Sequence, residues 1–203
     1  MSEEAQTILV VDDHPLMRKG IVQLITMEDS LRLVGEAGDG QRGLELARQL
    51  RPDLILLDLN MRGLSGLETL KALKAADLDS RVIILTVSDS EEDVVMALRA
   101  GADGYLLKDM EPEDVLRSLK TAAQGRIALG ERVATIVADA LRHERQPRPA
   151  DGARLTERER EILALIASGY RNKLIGRQLK ITEGTVKVHV KHLLRKLNLD
   201  SRV

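Results

Sequence analysis

The chain has 203 residues and a mass of 22.5 kDa, more than one ordinary domain needs and enough for two small ones. It has no cysteine and two aromatics, Tyr105 and Tyr170, which excludes disulfides, thiolate metal sites, thiol catalysis and a base-stacking platform for single strands. Its net charge of −1 is unevenly spread: residues 151–203 hold 12 basic and 6 acidic residues, net +6, and residues 1–150 hold 19 and 26, net −7.

No apolar run approaches the roughly 20 residues of a membrane span. Met1–Thr7 carries two glutamates and no positive charge, unlike a secretory signal. A soluble cytoplasmic protein without membrane contact is expected. From the N-terminus, five uninterrupted apolar runs recur at even spacing: Ile8–Val11, Leu31–Val34, Leu54–Leu57, Val82–Leu85 and Tyr105–Leu107. Uninterrupted rather than alternating, they suit strands buried on both faces, hence a parallel sheet covered by helices. Helix-length segments with apolar residues three and four apart follow each run, such as Ile21, Leu24 and Ile25 after the first. The expected fold class is α/β, a doubly wound five-stranded parallel sheet of flavodoxin-like kind over residues 7–125.

Such sheets place ligands beyond the carboxyl ends of their strands. There the first strand ends in Asp12–Asp13, the third in Asp58, the fourth in Thr86 and the fifth in Lys108. Neighbouring strands lie about 4.8 Å apart, so carboxylates from the first and third would face one another. A hard divalent cation relieves their repulsion, and Mg²⁺ suits two carboxylates, the backbone carbonyl of Asn60 and waters. A carboxylate held there can attack a phosphoryl group. Lys108 would then pair with one phosphoryl oxygen and the Thr86 hydroxyl would donate to another. Taken singly, Asp13 or Asp58 reads as a helix N-cap and Lys108 as a solvated lysine; the four strand ends together carry the chemistry.

After the sheet, Gly130 to about Arg145 reads as a linker helix with Val133, Ile136, Val137 and Leu141 on one face. Arg145–Gly152, with two prolines and a glycine, reads as a flexible linker, so residues 126–153 form the connection. Thr156 and Glu159 then form a capping box for a helix that stops near Ser168–Gly169. A second helix runs from about Asn172 to Leu179, and Thr182 caps a third through Val186, Val190, Leu193 and Leu197. Two helices across a short turn, the second basic, make a helix-turn-helix over residues 154–203. Lys187 and Lys191 share a face, with Val188 and His192 as a second stripe beside them. A cationic face opposite an apolar one suits the major groove, although a trihelical protein-interaction module shows the same pattern.

The segments Val10–Val11–Asp12–Asp13–His14, Leu56–Leu57–Asp58–Leu59–Asn60–Met61, Leu85–Thr86–Val87 and Tyr105–Leu106–Leu107–Lys108 resemble the receiver domain of two-component response regulators. The resemblance implies that Asp58 accepts a phosphoryl group from a sensor histidine kinase. It further implies that Asp12, Asp13 and Asp58 surround Mg²⁺, that Thr86 and Lys108 sense the phosphoryl group, and that Tyr105 is a switch aromatic moving inward with Thr86. His14 matches no required ligand and reads as structural or exposed. Arg62 stands where the family often has proline.

Leu155–Thr156–Glu157–Arg158–Glu159, Asn172–Lys173 and Thr185–Val186–Lys187–Val188–His189–Val190 with Lys196–Leu197 are similar to the LuxR-type DNA-binding domain. This implies that Lys187, Val188 and Lys191 face bases while Lys173, Arg177 and His189 meet phosphates. Gly176 and Gly184 depart from that pattern, Gly176 standing where alanine is usual. The chain stops at Ser201–Arg202–Val203, where such domains continue into a fourth helix, so either a truncation, the favoured expectation, or a weakened dimer contact is expected. As a whole the chain resembles response regulators of the NarL/FixJ type. The expectation is a regulator, not an enzyme, that is freed by phosphorylation of Asp58 to bind double-stranded promoter DNA as a homodimer, in nitrate or nitrite respiration. Two alternatives stay open, a phosphoryl-relay or sequestering protein whose tail binds a protein, and an aspartyl-phosphate hydrolase. The hydrolase needs an acid–base group at the position of Asn60.

Overall fold

The computed structural model describes residues 5–144, 155, 157–197 and 199. The chain divides into two compact units, the first ending at Leu141 and the second beginning at Arg142. In the first, six parallel strands lie in the order β2-β1-β3-β4-β5-β6: β1 (Gln6–Val11), β2 (Leu31–Ala37), β3 (Leu54–Leu57), β4 (Arg81–Thr86), β5 (Gly104–Leu107) and β6 (Ala128–Leu129). Helices α1 (Pro15–Thr26), α2 (Gly40–Leu50), α3 (Gly66–Lys74), α4 (Glu91–Arg99) and α5 (Pro112–Ala123) connect them.

The two faces of the sheet explain the uninterrupted apolar runs. Leu9, Val11, Ile55, Leu57, Ile84 and Tyr105 point to one core, packed by α2, α3 and α4 through Leu44, Leu70 and Val94. The alternate residues Ile8, Val10, Leu54, Leu56, Ile83 and Leu106 point to the other, packed by Ile21 and Ile25 of α1 and Val115 and Leu119 of α5. Each such side chain removed from water contributes about 1.5–3 kcal/mol, so both pleat positions must be apolar. Local chemistry starts the helices: Asp39 caps α2, Ser65 forms a full capping box with Glu68 on α3, Ser90 caps α4, and Pro15 and Pro112 open α1 and α5.

The sheet has six strands where the sequence suggested five. Ala128 and Leu129 add a parallel edge to β5 opposite Gly104 and Tyr105. Two residues cannot show a strand's periodicity, and pairing with a strand already in place defines them. The helix that follows, α6 (Glu131–Glu144), buries Val133 completely and lays Ile136 and Val137 against the same core as Tyr105, while Leu141 is exposed.

The second unit holds α7 (Glu157–Ala167), α8 (Asn172–Leu179) and α9 (Glu183–Lys196) around Ile162, Ile175, Val186 and Val190. The predicted stop of α7 is there: Gly169 is left-handed (φ +80°) and the Tyr170 N–H donates to Leu165 O at 3.0 Å. Arg158 satisfies the end of α8 by donating to the Leu179 carbonyl at 2.8 Å. Three residues separate α8 from α9, with Lys180 left-handed and the Thr182 hydroxyl accepting the Thr185 N–H at 3.1 Å. A Cβ on Gly176 would lie 2.7 Å from the Ile181 carbonyl oxygen, so this turn closes tightly over the glycine. Thr156, the expected cap of α7, the linker from 145 to 154, and Ser201–Val203 lie outside the described residues.

Candidate functional site

β1 and β3 are neighbours, and the backbone ladder runs one bond past their ends. The Asp12 N–H donates to Ala37 O at 3.0 Å and the Asp58 N–H to Val11 O at 2.9 Å. The Lys108 N–H does the same to Thr86 O at 2.8 Å on the β4–β5 side. This carries four chemistry-bearing residues to one stretch of the sheet's carboxyl edge.

Their side chains converge. The Lys108 ammonium, 5% exposed, lies 2.7 Å from Asp12 Oδ2 and 2.7 Å from Asp58 Oδ2. Asp58 Oδ1 accepts the Asn60 backbone N–H at 3.1 Å, Asp12 Oδ1 the His14 N–H at 2.7 Å, and Asp13 Oδ2 the Arg62 N–H at 3.0 Å. Asp13 Oδ1 is buried and receives no hydrogen bond; the His14 ring nitrogen stands 2.9 Å away without the alignment for one. Asp12, Asp13, His14 and Asp58 each bring a ligand atom into a group no wider than 4.8 Å.

One ammonium against three carboxylates leaves this pocket negative, and burial makes that imbalance costly. Clustered hard oxygens with an orphaned Asp13 Oδ1 fit a hard divalent cation. The single-residue alternative, that Asp13 and Asp58 are helix caps, does not hold: His14 precedes α1 and Ser65 caps α3. Arg62 proves useful where proline is usual, because only a residue with an N–H can reach Asp13 Oδ2.

Thr86 and Tyr105 stand behind the pocket, both fully buried. Thr86 Oγ1 accepts the Asn60 side-chain N–H at 2.9 Å, which leaves its own proton for another acceptor. The Asn60 amide thus adds a role beyond the backbone carbonyl expected of it. The Tyr105 hydroxyl donates to Ser88 O at 2.8 Å. Burial first, and then the Asp93 charge, pushes this phenol well above its ordinary value, so it remains a donor. Tyr105 is therefore already inward while Asp58 is unmodified. His14 is 65% exposed, as expected of it, yet its ring borders the acidic group.

Sequence reasoning missed Gly66. A Cβ there would lie 2.1 Å from Asp58 O and 2.4 Å from Leu59 Cα, so the glycine lets α3 begin directly under the Asp58 loop.

In the second unit, Lys173 and Arg177 of α8 and Lys187 and Lys191 of α9 are exposed, and Val188 is half-buried beside Lys187. Lys187 pairs with Glu183 one turn earlier at 3.1 Å, an exposed pair worth about 0.3–0.5 kcal/mol. His189 is 2% exposed and lies three residues from Val186 on the core arc of α9, so it is not placed to meet a phosphate as the sequence reading expected. His192, read as part of a stripe beside the lysines, is buried too. No described helix is long and apolar enough to cross a membrane.

Comparison with known proteins bears on both units. The family model for the response regulator receiver domain matches residues 8–120, and that for bacterial regulatory proteins of the luxR family matches residues 153–203. The chain is 55% identical over 202 residues to the nitrate/nitrite response regulator protein NarL of Escherichia coli K12, covering 100% of this chain and 94% of that protein. It resembles the crystal structure of the response regulator ChrA of a heme-sensing two-component system at 32% identity, with a TM-score of 0.57 over 98% of this chain and 94% of that one. RcsB of Salmonella enterica serovar Typhimurium, solved on promoter DNA with the phosphomimetic BeF₃⁻, shares the fold at 22% identity and a TM-score of 0.64, over 98% and 94% of the two chains. A carboxylate pocket at the sheet's edge and a basic helix after a tight turn thus occur in one chain for a shared reason: the protein belongs to the two-component response regulators, with a receiver domain and a LuxR-type DNA-binding domain that regulate transcription.

Proposed function

We propose that Asp58 is the phosphoacceptor and that its modification frees α9 to enter the major groove of promoter DNA. One observation supports this most: a single buried ammonium, that of Lys108, shared at 2.7 Å between Asp12 and Asp58. Asp12, Asp13, Asp58 and the Asn60 carbonyl would hold Mg²⁺. Bound there, the ion supplies neutralisation of the phosphoryl oxygens.

The remaining chemistry belongs to the chain. A carboxylate oxygen of Asp58 attacks the phosphorus of a kinase phosphohistidine. The P–N bond breaks, its electron pair returns to the imidazole and a proton replaces the phosphoryl group there. Lys108 exchanges a carboxylate for a phosphoryl oxygen, and the Thr86 hydroxyl donates its proton to another. Asn60 offers no acid or base two residues after Asp58, so the phosphoryl group serves as a signal and not as a step in turnover of a separate substrate.

Lys187, Val188 and Lys191 would meet base edges, Lys173 and Arg177 phosphates, and two chains would read paired half-sites as a homodimer in the cytoplasm. The likeness to NarL points to nitrate or nitrite as the stimulus behind the sensor histidine kinase. Acetyl phosphate with Mg²⁺ tests the acceptor: intact-protein mass should rise by one phosphoryl group, and Asp58→Asn should stay unmodified. Equal labelling of the variant contradicts the assignment.

A further inference from the structure

Arg132 stands in the first turn of α6 and reaches two loops on the carboxyl edge of the sheet. Its Nη2 lies 2.7 Å from Asp109 Oδ2 and its Nη1 3.2 Å from Asp89 Oδ2. Asp109 directly follows Lys108. Asp89 directly follows Ser88, whose carbonyl holds the Tyr105 hydroxyl and whose N–H points to Thr86 Oγ1 at 3.4 Å. One planar fork therefore spans the β4–α4 and β5–α5 loops just past the two groups that exchange partners on phosphorylation. The residue beside it, Val133, is fully buried in the core that contains Tyr105 and Leu107. Any movement of those loops is thus felt at the start of α6.

We propose that Arg132 is a positioning residue for the phosphoacceptor pocket, latching both loops and α6 in the arrangement that suits the unmodified carboxylate. Asp89 and Asp109 are like charges on neighbouring loops, and the guanidinium between them holds them together. A two-pronged bridge is made at one separation of its partners. A phosphoryl group on Asp58 draws Lys108 and the Thr86 hydroxyl toward its oxygens, shifts Asp109 and Asp89 with them, and breaks the bridge. The coupling is reciprocal: a latch that opposes the phosphorylated arrangement is released by it, and removing the latch favours that arrangement equally. Exposed pairs of this kind are weak, so the bias is a few-fold and Arg132 contributes part of the switch. The inference rests on Asp58 being the acceptor.

The test uses the full chain with beryllofluoride and Mg²⁺ as the phosphoryl mimic, on wild type, Arg132→Gln and Arg132→Lys. Titration calorimetry should show Arg132→Gln binding the mimic roughly two- to five-fold more tightly than wild type. Without the mimic, amide exchange in α6 should quicken by the same factor in the Gln variant, and by less in the Lys variant. The difference between wild type and Arg132→Gln should shrink as salt rises. Unchanged or weaker binding by Arg132→Gln, or an unaltered α6 exchange rate, overturns the latch. If wild type itself fails to bind the mimic, the reading of Asp58 is what falls.

Discussion

A methyl group on Gly66 has nowhere to go, with the Asp58 carbonyl oxygen 2.1 Å and Leu59 Cα 2.4 Å from the Cβ position. Gly66→Ala should lower stability by about 1–3 kcal/mol in urea unfolding and reduce labelling of Asp58 by acetyl phosphate, since the loop that gives way is the acceptor's own. At the far end of the sheet, Asp53 Oδ2 accepts the Thr7 hydroxyl at 2.6 Å and the Thr7 N–H at 2.8 Å. These bonds hold its carboxyl below its ordinary value of 3.8. A carboxyl lowered on folding stabilises the fold above that ordinary value and loses the effect as pH falls through its folded one. The stability gap between wild type and Asp53→Asn, read from urea midpoints, should therefore be present at neutral pH and close on acidification; a constant gap would contradict the assignment. Asp12, Asp13, Asp58, Thr86 and Lys108 were legible as candidates because residue type and strand-end position together imply chemistry. The Arg62 N–H and the Asn60 amide were not, because a backbone donor looks alike in every sequence and a side-chain partner exists only in three dimensions. His189 was misread by its basic neighbours, although its distance of three from Val186 already placed it on the buried arc.

Among the elements, β1, β3, β4 and β5 could be found from sequence since both their faces are buried, which forces unbroken apolar runs. β6 could not, having two residues and no pattern of its own. The stop of α7 and the Thr182 cap of α9 were local signals, so they appear where sequence places them. On α9 the burial pattern separates core from surface, leaving Lys187 and Lys191 outward. Replacing a lysine that meets a phosphate should flatten the slope of log affinity against log salt by about 1 per chain bound, and one that meets a base edge should cost about 1–3 kcal/mol and relax sequence preference. Lys191→Ala and Lys173→Ala, compared by fluorescence anisotropy on specific and scrambled duplexes, should divide along that line. Equal losses on both duplexes for Lys191→Ala would contradict its place at the bases.

At the scale of the whole molecule, a net charge of −1 hides an acidic first unit and a basic second one. An acyl phosphate carries about −1.5 to −2 at neutral pH where the free carboxylate carried about −1, so modification of Asp58 would add roughly one negative charge or less to a pocket already rich in carboxylates, far along the chain from Lys187 and Lys191. Under the proposed release of α9, moving the chain from mostly unable to mostly able to bind DNA takes several kcal/mol of preference for the competent form. In the mechanism we propose, the exchanges at Lys108 and Thr86 would supply most of it, with the Arg132 bridge adding a few-fold. The measurement that bears most directly on this account is the affinity of the full chain for its promoter duplex, with and without acetyl phosphate and Mg²⁺, in wild type and Asp58→Asn. The account predicts binding that tightens on phosphodonor addition in wild type and stays weak in the variant; equal affinity under all four conditions would contradict it.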